Sequence, residues 1–247
     1  MPSRNSQPAS PSAGLPAKPL SAAAHKLRLL KSLNCTDQRE RALRRNGASL
    51  IAGVDEVGRG ALFGPVVAAA VILPANMRKL AAAGLKDSKQ LAEQDRERIA
   101  ELVYATAIAI SIAEVDAATI DRVNIYQASR LAMLRAVQAL KHESASLRPD
   151  HLLVDAMRLD TSCAQTRLIH GDALSLSIAA ASVVAKVYRD RLMRQLDAEY
   201  PQYGLASHKG YGSPKHLSAL REHGPCPLHR RTFAPVATCL HLQQAAS

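Results

Sequence analysis

The chain has 247 residues, 47% of them hydrophobic, enough to bury a sizeable core in one domain with at most a small addition. No apolar run approaches the roughly 20 residues that cross a bilayer, which excludes a helical membrane protein, and the N-terminus lacks an apolar signal core, so the cytoplasm is the expected location. The formal net charge of +11 points to a polyanionic partner or to a solvated basic arm: residues 1–49 hold nine Lys/Arg against two acids, and the remainder 23 against 19.

Residues 1–20 are rich in Pro, Ser and Ala without periodicity and read as a disordered extension. Residues 21–47 place Leu27, Leu30, Leu33 and Leu43 between basic residues, the pattern of a basic helical segment. Residues 48–236 form the expected folded domain, with 237–247 as a tail. It opens with a strand near 50–56 and another near 65–73; a helix follows over 93–106, and residues 107–115 alternate as a third strand. A helix over 124–141 carries Ile125, Ala128, Leu131, Leu134, Val137 and Leu140 at helical spacing. The short apolar run 151–154 ends at Asp155, a further strand is expected over 167–169, and Gly171 and Asp172 open a long helix over 173–199. Residues 201–213 read as a Gly/Tyr-rich loop and 214–223 as a short helix. Three strands followed by alternating strands and helices define an α/β domain with a mixed sheet. The four cysteines (Cys35, Cys163, Cys226, Cys239) lie far apart, which argues against a disulfide framework.

Chemistry concentrates where the first apolar run, ending Ile51-Ala52-Gly53-Val54, meets Asp55-Glu56 and the turn Gly58-Arg59-Gly60. Ionised carboxylates at the end of a buried strand are costly unless paired or metal-bound. Glycines at 58 and 60 let a turn backbone approach something closely. If the strand ending at Asp155 lies beside the first, their ends are only about 5 Å apart. Asp172, at the start of the long helix, completes a set of four acids. Such a cluster repels itself unless it binds divalent metal or keeps some protons. Oxygen-only ligands favour Mg²⁺ or Mn²⁺ over Zn²⁺. The plainer alternative makes Asp155 a turn acid and Asp172 a helix cap.

These motifs resemble those of the type 2 ribonucleases H (ribonuclease HII) over roughly residues 48–236. The resemblance runs in order through 52–60, Gly64-Pro65 with the apolar run after it, Leu85-Lys86-Asp87-Ser88-Lys89, Asp121-Arg122-Val123-Asn124-Ile125, Val154-Asp155-Ala156 and Gly171-Asp172. It continues through 175–182, Ala185-Lys186, Arg189-Asp190, His208-Lys209-Gly210-Tyr211-Gly212 and His229-Arg230-Arg231. It implies a ribonuclease H-like fold, a mixed five-stranded sheet flanked by helices with a small helical C-terminal portion. It also implies Mg²⁺- or Mn²⁺-dependent cleavage of RNA in RNA–DNA hybrids and at single ribonucleotides in duplex DNA, with two ions at work. Asp55, Glu56, Asp155 and Asp172 match the family's catalytic, metal-holding carboxylates. The family's substrate contacts match Gly58, Arg59 and Gly60 at the ribonucleotide, and Tyr211 at the neighbouring deoxyribose. Lys89, Ser182 and Lys186 join them as expected substrate-binding residues, although by pattern alone these lysines are equally surface charges. A proline often follows this turn in the family; Ala61 stands here.

Other signals carry less. The spacing His223-x-x-Cys226-x-x-His229 matches no zinc module, and Arg59-Gly60 stands where a phosphate-binding loop requires Lys-Ser/Thr. The resemblance makes 229–231 a basic segment near the end of the domain. Two other functions fit a basic α/β chain: a non-catalytic nucleic-acid-binding module, whose signature would be a missing carboxylate, and a related nuclease or strand-transfer enzyme. A monomer is the default expectation.

Overall fold

The computed structural model describes residues 33–143 and 145–246; the expected extension over 1–20 and residues 21–32 of the basic segment lie outside them. From Asn34 onward the chain forms one unit. Its elements are α1 (Gln38–Arg45), β1 (Ile51–Val57), β2 (Val66–Ile72), α2 (Arg78–Ala82), α3 (Glu93–Thr106), β3 (Ala109–Val115), α4 (Ala117–Val123), α5 (Ile125–Gln138), β4 (Lys141–His142) and β5 (Ala145–Ser146). They continue with β6 (His151–Asp155), β7 (Ala164–Leu168), α6 (Leu176–Glu199), α7 (Leu205–His208), α8 (Pro214–His223) and α9 (Ala234–Ala246).

The main sheet runs β3-β2-β1-β6-β7, antiparallel from β3 to β1 and parallel from β1 to β7. Every residue of β2 is buried, as a Val/Ala/Ile run covered on both faces requires. Alternation sorts its side chains. Val66, Ala68, Ala70 and Ile72 join Ala128, Ala132, Met133 and Ala136 of α5, while Val67, Ala69 and Val71 join α6 and α3. Small residues on both sides bring α6 unusually close to β1: a Cβ on Gly53 would stand 2.0 Å from the Ser177 carbonyl carbon. Asp55 shares the parity of Gly53, so it too falls on the α6 side.

Several boundaries differ from the sequence-based expectation, each for a local hydrogen-bonding reason. The long helix starts at Leu176 rather than 173, because Ser175 is its N-cap and accepts from the Ile178 N–H; Gly171–Ala173 forms a separate 3₁₀ turn. Asp172 therefore sits ahead of the helix and does not cap it. The last parallel strand is Ala164–Leu168, earlier and longer than 167–169, because its register on β6 begins at His151 opposite Ala164. α5 stops at Gln138, and Lys141–His142 pairs with Ala145–Ser146 instead of extending it. Residues 201–213 contain a 3₁₀ turn (Pro201–Tyr203) and α7. α9 runs straight across residue 236, with Val236 and Cys239 buried against Leu220, where the sequence suggested a tail.

Candidate active site

Parallel pairing places Val54 opposite Val154, so Asp55 and Asp155 leave adjacent strand ends. Asp55 is 4% exposed, and its Oδ1 accepts the Glu56 N–H at 2.7 Å. Asp155 accepts the Gly171 N–H at 2.7 Å, which ties the turn carrying Asp172 to the end of β6. The backbone is strained on both sides of this tie, since Ala156 (φ 49°) and His170 (φ 58°) occupy the left-handed region. Asp172 is buried and faces Lys89 Nζ at 3.2 Å; Glu56 pairs with Arg59 at 3.4 Å. Ser182, from the second turn of α6, bonds to Ser88 at 2.9 Å and reaches Asp55.

Burial dominates the electrostatics. It pushes the Asp55 carboxyl well above the usual range, and Glu56, Asp155 and Asp172 push it further against a hydrogen bond from Ser182. Glu56 is raised to about 7 by burial, with Arg59 opposing. Asp155 and Asp172 are raised for the same first reason, opposed by the Gly171 N–H and by Lys89 respectively. Burial alone would lower the Lys89 ammonium, but Asp172, Asp55 and Asp87 hold it above its ordinary value. This pattern belongs to a site short of positive charge. One oxygen of Glu56 is buried without any partner, and all four side chains offer only hard oxygen donors, so the set fits Mg²⁺ or Mn²⁺. As placed, no three His, Cys, Asp or Glu side chains among the described residues stand close enough together to hold a metal ion.

Beside the acids stands the Gly58-Arg59-Gly60 turn. Gly58 has φ 89°, and a Cβ there would strike Arg189 Nε at 2.2 Å. Arg189 and Arg230 are wholly buried. Arg189 donates to the carbonyls of Pro65, Phe63 and Lys209, and Arg230 to those of Gly64 and Arg59. Desolvation lowers both guanidinium values, Arg230 to about 9. These two cations hold the β1–β2 connection from beneath. Tyr211 arrives from the loop after α7: Ala61 and Tyr211 form a β-bridge, the Tyr211 ring stands 4.0 Å from the position of a Cβ on Gly60, and Arg189 lies 5.6 Å from the ring centroid.

The structure thus brings Asp55, Glu56, Asp155, Asp172, Lys89 and Ser182 together, with Gly58, Arg59, Gly60 and Tyr211 alongside. Lys186 turns elsewhere, its ammonium 2.6 Å from Asp190 in a pair that Arg96 joins at 3.5 Å. The segment 229–231 is no basic surface, because His229 and Arg230 are buried and only Arg231 is exposed. His229 Nδ1 accepts the Cys226 N–H, which leaves no zinc arrangement around those residues. Sequence reasoning missed Glu40. It is fully buried, and its Oε1 accepts from Ser175 Oγ at 2.6 Å and from the Ser177 N–H at 2.9 Å, so α1 is pinned to the start of α6. No sequence signal links positions 135 residues apart.

A mixed sheet in this order with helices on both faces is the ribonuclease H-like architecture. The ribonuclease H2 of Pyrococcus horikoshii OT3 superposes with a TM-score of 0.68 at 24% identity, covering 79% of this chain and 99% of that one. Bst-RNase HIII, in a structure with Mn²⁺, gives 0.59 at 22% identity over 83% of this chain and 73% of that one. In sequence, the Ribonuclease HII family model matches residues 52–236. The Ribonuclease HII of Koribacter versatilis is 60% identical over 226 residues, 92% of this chain and 86% of that protein. The chain belongs to the ribonuclease HII family, and it is an endonuclease that hydrolyses RNA.

Proposed function

We propose that this enzyme hydrolyses the phosphodiester on the 5′ side of a ribonucleotide, in RNA–DNA hybrids and at single ribonucleotides embedded in duplex DNA, leaving a 3′-hydroxyl and a 5′-phosphate. Asp55, Glu56, Asp155 and Asp172 would hold two divalent ions. The observation that carries the reading is the convergence of these four carboxylates at adjoining strand ends, next to a glycine turn and a tyrosine.

Two Mg²⁺ or Mn²⁺ ions supply activation of the attacking water and stabilisation of the leaving oxygen. The protein supplies placement. Ser182 and the Glu56 N–H orient Asp55, and the Gly171 N–H orients Asp155. Lys89 and Arg59 reach the acids from exposed stems, 76% and 42% accessible, so both cations can also meet phosphate. Only the 2′-hydroxyl separates RNA from DNA at one nucleotide. Gly60 exposes its backbone for contact with it, buried Gly58 gives the turn its left-handed φ, and the flat face of Tyr211 suits the adjoining sugar.

The test is a DNA duplex with one ribonucleotide against an all-DNA duplex, in Mg²⁺ or Mn²⁺ and in EDTA. Nicking of the first duplex alone, only with metal, is expected; cleavage of both duplexes overturns the substrate assignment. Asp55→Asn should lose at least about a hundredfold in turnover while still binding the duplex, since one ligand oxygen is lost and the exposed cations Lys89 and Arg59 stay. Retained turnover would remove Asp55 from the metal set.

A further inference from the structure

Three histidines surround the loop that carries Tyr211, and their ring atoms leave no freedom in where the protons sit. His216 (0% exposed) and His229 (1% exposed) face each other with Nε2 atoms 3.2 Å apart. At one end, His229 Nδ1 lies 3.0 Å from the Cys226 backbone nitrogen, a group that only donates. At the other, His216 Nδ1 lies 3.0 Å from the Tyr211 carbonyl, which only accepts. His229 must therefore be unprotonated at Nδ1 and carry its proton on Nε2, and His216 must carry its own on Nδ1. The chain runs one way, from Cys226 N–H through both neutral rings to the Tyr211 carbonyl. A further proton on either ring sets two N–H groups against each other.

His208 stacks on His216 at 4.6 Å with rings 13° from parallel. It accepts the Gly210 N–H at Nδ1 and donates from Nε2 to the Tyr203 carbonyl, again a single tautomer. Phe63 and Tyr203 pack edge-on against the buried His229 ring at 4.9 and 4.7 Å.

We propose that His216 and His229 are positioning residues for junction recognition: their polarised imidazole chain fixes the Tyr211 backbone, and hence the stance of the Tyr211 ring against Gly60. This rests on the reading of Tyr211 and the glycine turn as the substrate-contacting pair. Neither histidine touches substrate. The chain acts on selectivity between a lone ribonucleotide and a continuous hybrid, because only the former requires the ring to meet one particular sugar.

The experiment compares kcat/KM on the single-ribonucleotide duplex and on a continuous RNA–DNA hybrid for wild type, His216→Leu and His216→Asn. The asparagine amide occupies the place of Nδ1 and still donates to Tyr211. His216→Leu should lose about fivefold to tenfold in the ratio of the two substrates, the scale of one lost hydrogen bond, and His216→Asn less than about twofold. An unchanged ratio in His216→Leu, or equal losses in both variants, overturns the proposal. Should His216→Leu not fold, ¹⁵N spectra of the wild-type imidazoles decide independently. Neutral Nδ1–H His216 and neutral Nε2–H His229 at pH 7.5 support the chain, and any other pair of states refutes it. A wild type that ignores the single-ribonucleotide duplex removes the junction reading and this proposal with it. A wild type that nicks it while His216→Leu keeps its ratio removes this proposal alone.

Discussion

Glu40→Ala tests whether the segment before β1 belongs to the working fold. The substitution strips the acceptor from Ser175 Oγ and the Ser177 N–H, both buried, and leaves two donors without partners at the first turn of α6. Hydrogen bonds to a charged group contribute about 1.5–3 kcal/mol each. Against that, the variant relieves the burial of a carboxylate whose Oε2 already has no partner. The net expected cost is about 3 kcal/mol, or a fall of about 6–12 °C in melting temperature for a domain of this size. Glu40→Gln keeps one acceptor oxygen and should fall about half as far. Circular dichroism melts at one pH and salt concentration measure both. The Ser175 N–H also bonds to the Gly171 carbonyl at 2.9 Å, so fraying there reaches the turn that holds Asp172, and hybrid cleavage should drop in the same order. A Glu40→Ala melt within 2 °C of wild type, about the change expected for under 1 kcal/mol, would refute the reasoning.

Gly53→Ala puts a methyl group 2.0 Å from the Ser177 carbonyl carbon, so β1 and α6 must part by roughly 1.4 Å to reach ordinary contact at 3.4 Å. The expected loss is at least about 3 kcal/mol in urea denaturation, and an unchanged midpoint would contradict the close approach. His229 is depressed to about 3 by burial, from an ordinary 6.5, so the unfolded chain binds its proton first and the stability contribution is lost as pH falls below 6.5. Between pH 7.5 and 5 this amounts to about 2 kcal/mol. The raised carboxylates act in the opposite sense, so the quantity to measure is the difference in pH slope between wild type and His229→Gln; identical slopes would be inconsistent with a neutral buried ring. Deleting residues 1–20, which lie outside the matched region 52–236, should leave hybrid cleavage within about twofold, and a larger loss would give that arm a role.

The sequence made the chemistry legible where local pattern and position coincide. β1 and β6 each read as an apolar run ending in acid, and the carboxylate cluster followed once the two runs were taken as neighbours. The helical spacing from Ile125 to Val137 likewise announced α5. What stayed hidden depends on contacts between distant residues that run against local preference. Arg189 and Arg230 carry charges that belong at the surface, yet backbone carbonyls satisfy all three Arg189 nitrogens internally and two of the three in Arg230, whose Nη2 is left without a partner. Glu40 lies in a run of arginines, and nothing about it announces a helix cap elsewhere in the fold. The histidines suggested a poor zinc site because spacing alone ignores which ring nitrogen a backbone amide already occupies.

The two halves of the site share one support. Along β1, Gly53 touches Ser177, Asp55 meets Ser182, and Gly58 lies on Arg189, so strand and helix advance in the same direction in contact throughout. Five strand residues rise about 17 Å and twelve helical residues about 18 Å. The matched rises let a single straight helix hold the carboxylates at one level and the glycine turn two turns further on. Ser182 and Arg189, seven residues apart, fall on the same helix face. The spacing between the acids and the turn is therefore set by secondary-structure geometry rather than by loop conformation, which loops alone would leave to thermal motion. The missing Cβ at Gly53 and the serine at 182 are both consequences of that arrangement: one lets the helix lie close enough, and the other gives it a polar hold on Asp55.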